Sequence, residues 1–176
     1  MIYMLMTDGF EEIEALTPVD VLRRCGADVK TVGVNSMSVR GSHDITLMCD
    51  IEFQDIDKQK MDMLILPGGP GHTELKGDKV QKLIRYAADN DIYIAAICAA
   101  PSVPGEMGLL SGRKATCYPG FEHELKGADV TGEKVVVDGK FITAKGPGAA
   151  GEFAFELAKL MCGSEKVREV KDAMQY

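Results

Sequence analysis

The chain predicts an α/β fold, a mainly parallel sheet with helices packed on both faces, and three observations carry that expectation. The segments Met61–Leu66 and Ile92–Ile97 are short, nearly uncharged and rich in aliphatic residues, the pattern of strands covered on both sides. Between them runs an amphipathic helical stretch, Val80–Asn90, with Val80, Leu83, Ile84, Ala87 and Ala88 on one side. With 45% hydrophobic residues over 176 positions, the chain can also bury a full core, so one domain covering residues 1–176 is expected.

Taken in order, the apolar run Met1–Met6 reads as a first strand rather than a signal peptide, because it lacks a basic leading segment and turns at Asp8-Gly9. A helix opens at Phe10-Glu11-Glu12-Ile13-Glu14, where Glu11 and Glu12 are expected to form a solvated acidic first turn favoured by the helix dipole. Pro18 predicts a kink or a restart there, and Gly26 ends the helix. Asp28–Val34 alternates as a second strand, and residues 41–48 suggest a short hairpin. Beyond Ile97, residues 101–110 read as helical with a break at Pro104-Gly105, and Lys114–Tyr118 as a short strand. Val135–Thr143 forms a hairpin around Asp138-Gly139, followed by helices over about 151–161 and 164–173.

Composition excludes several functions. A formal net charge of −7 without any Lys/Arg cluster argues against nucleic acid and acidic membrane surfaces as partners. No apolar run is long enough to span a bilayer, and a cytoplasmic location is expected. The five scattered cysteines form no Cys-x-x-Cys pair, so neither a disulfide framework nor a zinc site is indicated, and no metal is expected.

Ligands of open parallel sheets bind outside the carboxyl ends of the strands. Four unusual sequences sit at such ends: Asp8–Glu14, Pro67–Gly71, Cys98–Ala100 and Lys145–Gly148. Together they would place a thiol at a strand-to-helix elbow, a glycine loop with exposed N–H groups, and a carboxylate in one pocket. That set suits nucleophilic catalysis with oxyanion stabilisation. A helix N-terminus after Cys98 would lower its pKa below the ordinary thiol value.

The motifs Gly9-Phe10-Glu11-Glu12-Ile13-Glu14, Leu66-Pro67-Gly68-Gly69, Ala95-Ala96-Ile97-Cys98-Ala99 and Gly146-Pro147-Gly148 together resemble the ThiJ/PfpI superfamily, most of all the branch containing the parkinsonism-associated protein deglycase. The resemblance runs through nearly the whole chain. It implies a flavodoxin-like, glutamine-amidotransferase-related three-layer sandwich that forms homodimers. It also implies Cys98 as the reactive cysteine, Glu14 as a protonated carboxyl bonded to its sulfur, and the N–H groups of Gly69 and Ala99 as the oxyanion hole. The implied activity is cofactor-free conversion of methylglyoxal or a glycated substrate, glyoxalase- or deglycase-like; the alternative is a redox-sensing or chaperone-like protein using an oxidisable Cys98.

Two departures narrow this. Ala99 stands where protease-like members carry His, so peptidase activity is not expected, and Tyr118 occupies a position where many deglycase-type members supply His. A phenol is a poor base at neutral pH, which leaves proton transfer to Glu14 or water. Gly146 and Pro147 are further pocket candidates. His72 follows the glycine loop and is a candidate to overhang the pocket, and Cys117 is either a resolving thiol or a packed one. His43 and His123 read as surface histidines.

Overall fold

The computed structural model describes residues 1–176. The first half of the chain forms β1 (Ile2–Met6), α1 (Glu12–Arg24), β2 (Val29–Gly33), β3 (Ser38–Arg40), β4 (Thr46–Met48), β5 (Ile51–Glu52), β6 (Met63–Leu66), α2 (Asp78–Asp89) and β7 (Tyr93–Ile97). The second half adds α3 (Ser102–Glu106), β8 (Lys114–Ala115), β9 (Asp129–Val130), β10 (Val135–Asp138), β11 (Phe141–Ala144), α4 (Ala150–Cys162) and α5 (Ser164–Met174). Seven strands make one sheet in the order β10, β11, β7, β6, β1, β2, β5. Only β10 runs antiparallel, paired to β11 through the tight turn at Gly139. Because β1, β6, β7 and β11 are all parallel, the loops that follow them emerge at the same edge.

Alternation along each strand divides the core into two layers and makes the fold a three-layer α/β sandwich. Ile2, Met4, Met6, Met63, Ile65, Ala95 and Ile97 face α1, α4 and α5, packing with Leu22, Phe153, Leu157 and Val167. Tyr3, Leu5, Leu64, Leu66, Ile94 and Ala96 face the other way, onto Val80, Leu83 and Ile84 of α2 and Val103 of α3. Each such aliphatic side chain stabilises the fold by about 1.5–3 kcal/mol through burial. The methionines of β1 and β6 serve as core residues.

Several local expectations change. Of the kink or restart expected at Pro18, the restart does not occur: α1 is continuous from Glu12 to Arg24, and burial of Pro18 offsets the hydrogen bond its ring forfeits. The helix after the elbow is shorter than its pattern, five residues spanning Pro104-Gly105. A side chain at Gly105 would run into the backbone of Glu124 and Leu125. Strand pairing of the segment 114–118 stops at Ala115, because Thr116 turns inward to bond Thr143 and Tyr118 reaches back to the elbow.

The largest correction concerns the first turn of α1. Glu11 and Glu12 are both buried, not solvated. Glu11 is the N-cap and accepts the Glu14 N–H at 2.8 Å. The β3–β4 hairpin folds over Glu12, whose carboxylate accepts the His43 N–H at 2.8 Å, His43 Nδ1 at 2.9 Å and Ser42 Oγ at 3.3 Å. Burial alone would raise the Glu12 pKa, but the His43 ring and backbone donors outweigh it and hold the group at about 2. His43 itself stays exposed, with its pKa raised by the hydrogen bond to Glu12.

A carboxylate whose folded pKa lies below its unfolded value stabilises the fold above the unfolded value and loses that contribution as the pH falls towards 2. Stability should therefore drop between about pH 4.5 and 2 by about 2 kcal/mol on account of Glu12, the interaction being screened in part around the exposed His43. Urea melts over that range should show a clearly shallower slope in Glu12→Gln; an unchanged slope would remove Glu12 from the acid response.

Candidate active site

The loops after β1, β6, β7 and β11 converge on Cys98. Strand β7 ends at Ile97, and Cys98 makes the last sheet bond by donating its N–H to the Ala144 carbonyl at 2.8 Å. Its own φ is +65°, the left-handed region that a non-glycine side chain enters at a cost of roughly 1–3 kcal/mol. This is the sharp strand-to-helix turn read from the sequence. The side chain is 8% exposed, so it can be reached from solvent.

Glu14, completely buried on α1, lies against the sulfur. One carboxyl oxygen, Oε2, accepts the Gly68 N–H at 3.0 Å. The other, Oε1, meets no protein donor, as suits a carboxyl oxygen that can carry a proton towards Cys98. Burial raises the Glu14 pKa to about 7, against the lowering effect of its hydrogen bond with Cys98 and with the nearby Glu11 charge adding to the rise. The thiol is pushed up to about 12, first by burial and then by the charge of Glu14, while the N–H groups of Gly69 and Ala99, directed at the sulfur, pull it down. The thiol thus moves opposite to the direction expected from a helix N-terminus. α3 starts only at Ser102 and is one turn long, too little dipole to overcome desolvation. Burial thus makes both members of the pair hold their protons to higher pH than they would in water.

Both N–H groups facing the sulfur belong to peptide planes clamped from behind. The carbonyl of Gly68, in the same peptide as the Gly69 N–H, accepts from the Glu11 N–H at 3.1 Å. The carbonyl of Cys98, in the same peptide as the Ala99 N–H, accepts from the Tyr118 N–H at 2.8 Å. In a trans peptide the two dipole ends point opposite ways, so each clamp aims an N–H at the sulfur. Glycine is obligatory at 68: a Cβ there would overlap Glu14 Oε2 and lie 2.5 Å from the Cys98 Cβ. Gly69, with φ of +84°, packs so closely on the β1 loop that a Cβ would come within 2.5 Å of the Gly9 carbonyl.

A groove of about 440 Å³ opens beside the elbow, lined by Tyr118, Pro119, Lys134, Lys145 and residues 146–149. Tyr118 is half exposed, and its ring lies against Gly146, where a Cβ would approach to 3.2 Å. Gly146 and Pro147 are thus in the wall, as expected. His72 and Cys117 are not. His72 packs edge-on against Phe121, with its ring nitrogen 2.9 Å from the Gly69 carbonyl, so it braces the glycine loop from beneath. Cys117 packs in the layer of core opposite the one that holds Cys98. Sequence reasoning missed the separate parts of Gly68 and Glu11; the doubled glycine after Pro67 was the available signal for the first.

The sequence profile of the DJ-1/PfpI family matches residues 1–160. The chain belongs to the DJ-1/PfpI family. Protein dj-1beta of Drosophila melanogaster is 38% identical over 172 residues, covering 95% of this chain and 92% of that protein. Its crystal structure superposes with a TM-score of 0.93, at 36% identity over 99% of this chain and 96% of that one. A Caenorhabditis elegans relative named a glutathione-independent glyoxalase is 30% identical, covering 95% and 91%. A Pyrococcus abyssi relative named a deglycase is 28% identical, covering 91% and 98%. The three-layer sandwich is therefore that of this family's flavodoxin-like structures.

The role given to Gly68 has a direct check. Gly68→Ala must push Glu14 away from Cys98, so it should lower the melting temperature by several degrees, as a core clash of about 1–3 kcal/mol does in a chain this size. It should also change the rate at which Cys98 is alkylated. A variant that melts and reacts like the wild type would show that the carboxyl does not occupy this space.

Proposed function

We propose that this DJ-1/PfpI member is a cofactor-independent, cysteine-dependent enzyme acting on reactive 2-oxoaldehydes, converting methylglyoxal to lactate. The observation that carries this reading is the elbow: a strained cysteine sharing one proton with a fully buried carboxyl, under two oriented N–H groups. The relatives named glyoxalase and deglycase support the same class of small carbonyl substrate.

The chemistry follows from those groups. Glu14, as carboxylate, takes the Cys98 proton while sulfur attacks the aldehyde carbon, and the new alkoxide is stabilised by the N–H groups of Gly69 and Ala99. Glu14 returns that proton to the alkoxide oxygen and, as carboxylate again, takes the hydrogen of that carbon and delivers it to the neighbouring one through an enediol, leaving a thioester of the hydroxy acid. Water hydrolyses the thioester and restores the thiol. One carbon is oxidised and its neighbour reduced, so no external oxidant or cofactor is needed. Tyr118 shapes the groove and donates a hydrogen bond; it is not the base.

Lactate formation by the purified protein tests this directly. Cys98→Ser should abolish it, and Glu14→Gln should lower it by about 10²–10⁴-fold, the usual worth of a positioned acid–base group. Because the base is the carboxylate, kcat/KM should rise with pH and level off above about 7. A flat profile, or full activity in Glu14→Gln, would refute the assignment.

We further propose a homodimer, as the family resemblance implies. Ile13 on α1 and Ile45 and Met48 of the β3–β4 hairpin are more than half exposed, and the hairpin is tied to α1 through Glu12 and His43, so an apolar face is available for a second copy. Sedimentation at micromolar concentration should give twice the 19.1 kDa chain mass, reverting to the monomer in Met48→Glu/Ile13→Glu; a wild-type monomer would refute the dimer.

A further inference from the structure

We propose that the groove beside the Cys98 elbow selects a small carbonyl compound that itself carries a negative charge, with Lys145 as the residue that recognises it. This rests on the reading of Cys98 as the nucleophile, and it goes beyond the neutral oxoaldehyde.

The groove wall carries two ammonium groups and no carboxylate. They are not equivalent. Lys134 is paired with Glu152 at 2.5 Å and is neutralised where it stands. Lys145 has no carboxylate within ion-pair distance; its Nζ meets only the Gly132 carbonyl, at a long 3.4 Å. The partly buried Lys76, by contrast, is held by both Glu106 and Glu124. Glu122 feels the Lys145 charge only from beyond ion-pair distance, and a half-buried cation with no direct counterion beside a nucleophile is a ready partner for a substrate anion.

Its place in the chain ties the backbone that carries this cation to the elbow. Lys145 follows Ala144, whose carbonyl takes the Cys98 N–H, and its own N–H is held by the Lys134 carbonyl at 2.9 Å. The backbone of Lys145 therefore cannot drift from the elbow, while its side chain can swing. The next four residues, Gly146, Pro147, Gly148 and Ala149, are small and leave the space between ammonium and elbow open. In a chain of net charge −7, an anion approaches a site only where a local cation outweighs the surrounding field. The partner is a compound with an aldehyde or ketone carbon for the thiol and a carboxylate a few bonds away for Lys145.

Two alkylating probes that differ only in charge read this preference without any turnover. Iodoacetate and iodoacetamide each lose iodide to the Cys98 sulfur and leave a thioether, but only the first carries a carboxylate. Peptide mass spectrometry gives the ratio of the two rates at Cys98, with the half-buried Cys162 on α4 as internal reference. In Lys145→Gln the iodoacetate-to-iodoacetamide ratio at Cys98 should fall roughly three- to fivefold, the worth of one close unit charge in water, and the ratio at Cys162 should not move. Lys145→Arg should keep the wild-type ratio, and high salt should erase the difference between wild type and Lys145→Gln. An unchanged ratio at Cys98 in Lys145→Gln would overturn the proposal. Failure of lactate formation with the ratio still dependent on Lys145 would instead refute the methylglyoxal reaction while upholding anion recognition.

Discussion

Glu14 has no contact with water, and the site is arranged around that fact. A carboxyl completely enclosed by protein must either keep its proton or find donors for its charge, and here it does half of each. Oε2 is satisfied by the Gly68 N–H, whereas Oε1 meets no donor, which suits a proton there. Gly68 must lack a side chain for the carboxyl to be there, Gly69 must adopt positive φ for the loop to pass over Gly9, and Cys98 must enter the left-handed region to meet them. One missing side chain and two left-handed residues thus serve one buried acid.

Much of this was legible from the chain itself. The nearly uncharged runs Met61–Leu66 and Ile92–Ile97 had the composition of buried parallel strands, and they became β6 and β7 at the middle of the sheet. The elbow at Cys98 was legible because a cysteine followed such a strand among alanines. What stayed hidden depends on tertiary contacts that composition does not encode. Glu11 and Glu12 resemble a solvated helix start until the β3–β4 hairpin closes over them, and the hairpin's own residues carry no sign that they cover an acid. Pro18 looks like a helix breaker until the packing around it holds the helix intact. The direction of the Cys98 pKa was misjudged for a related reason: the helix after it is visible as a pattern, but its shortness and the depth of the sulfur are not.

The two faces of the reacting sulfur are built with different tolerances. On the Glu14 side every position is filled, by a buried acid, two glycines and the N-cap of α1, so little there can change without loss of the geometry. On the groove side the wall consists of a half-exposed ring, small residues and flexible lysines. The Glu14 side is rigid, and the groove side is free to vary.

Tyr118 stands on the boundary between them and belongs to both. Its ring is in the groove, yet its hold on the elbow is made by the backbone N–H bonded to the Cys98 carbonyl. That grip is indifferent to the side chain, so position 118 can exchange an imidazole for a phenol and keep the Ala99 N–H aimed at sulfur. Proline alone lacks the N–H and is barred. Position 118 is thereby a point at which the shape of the groove can drift over generations while the thiol beneath it keeps its posture.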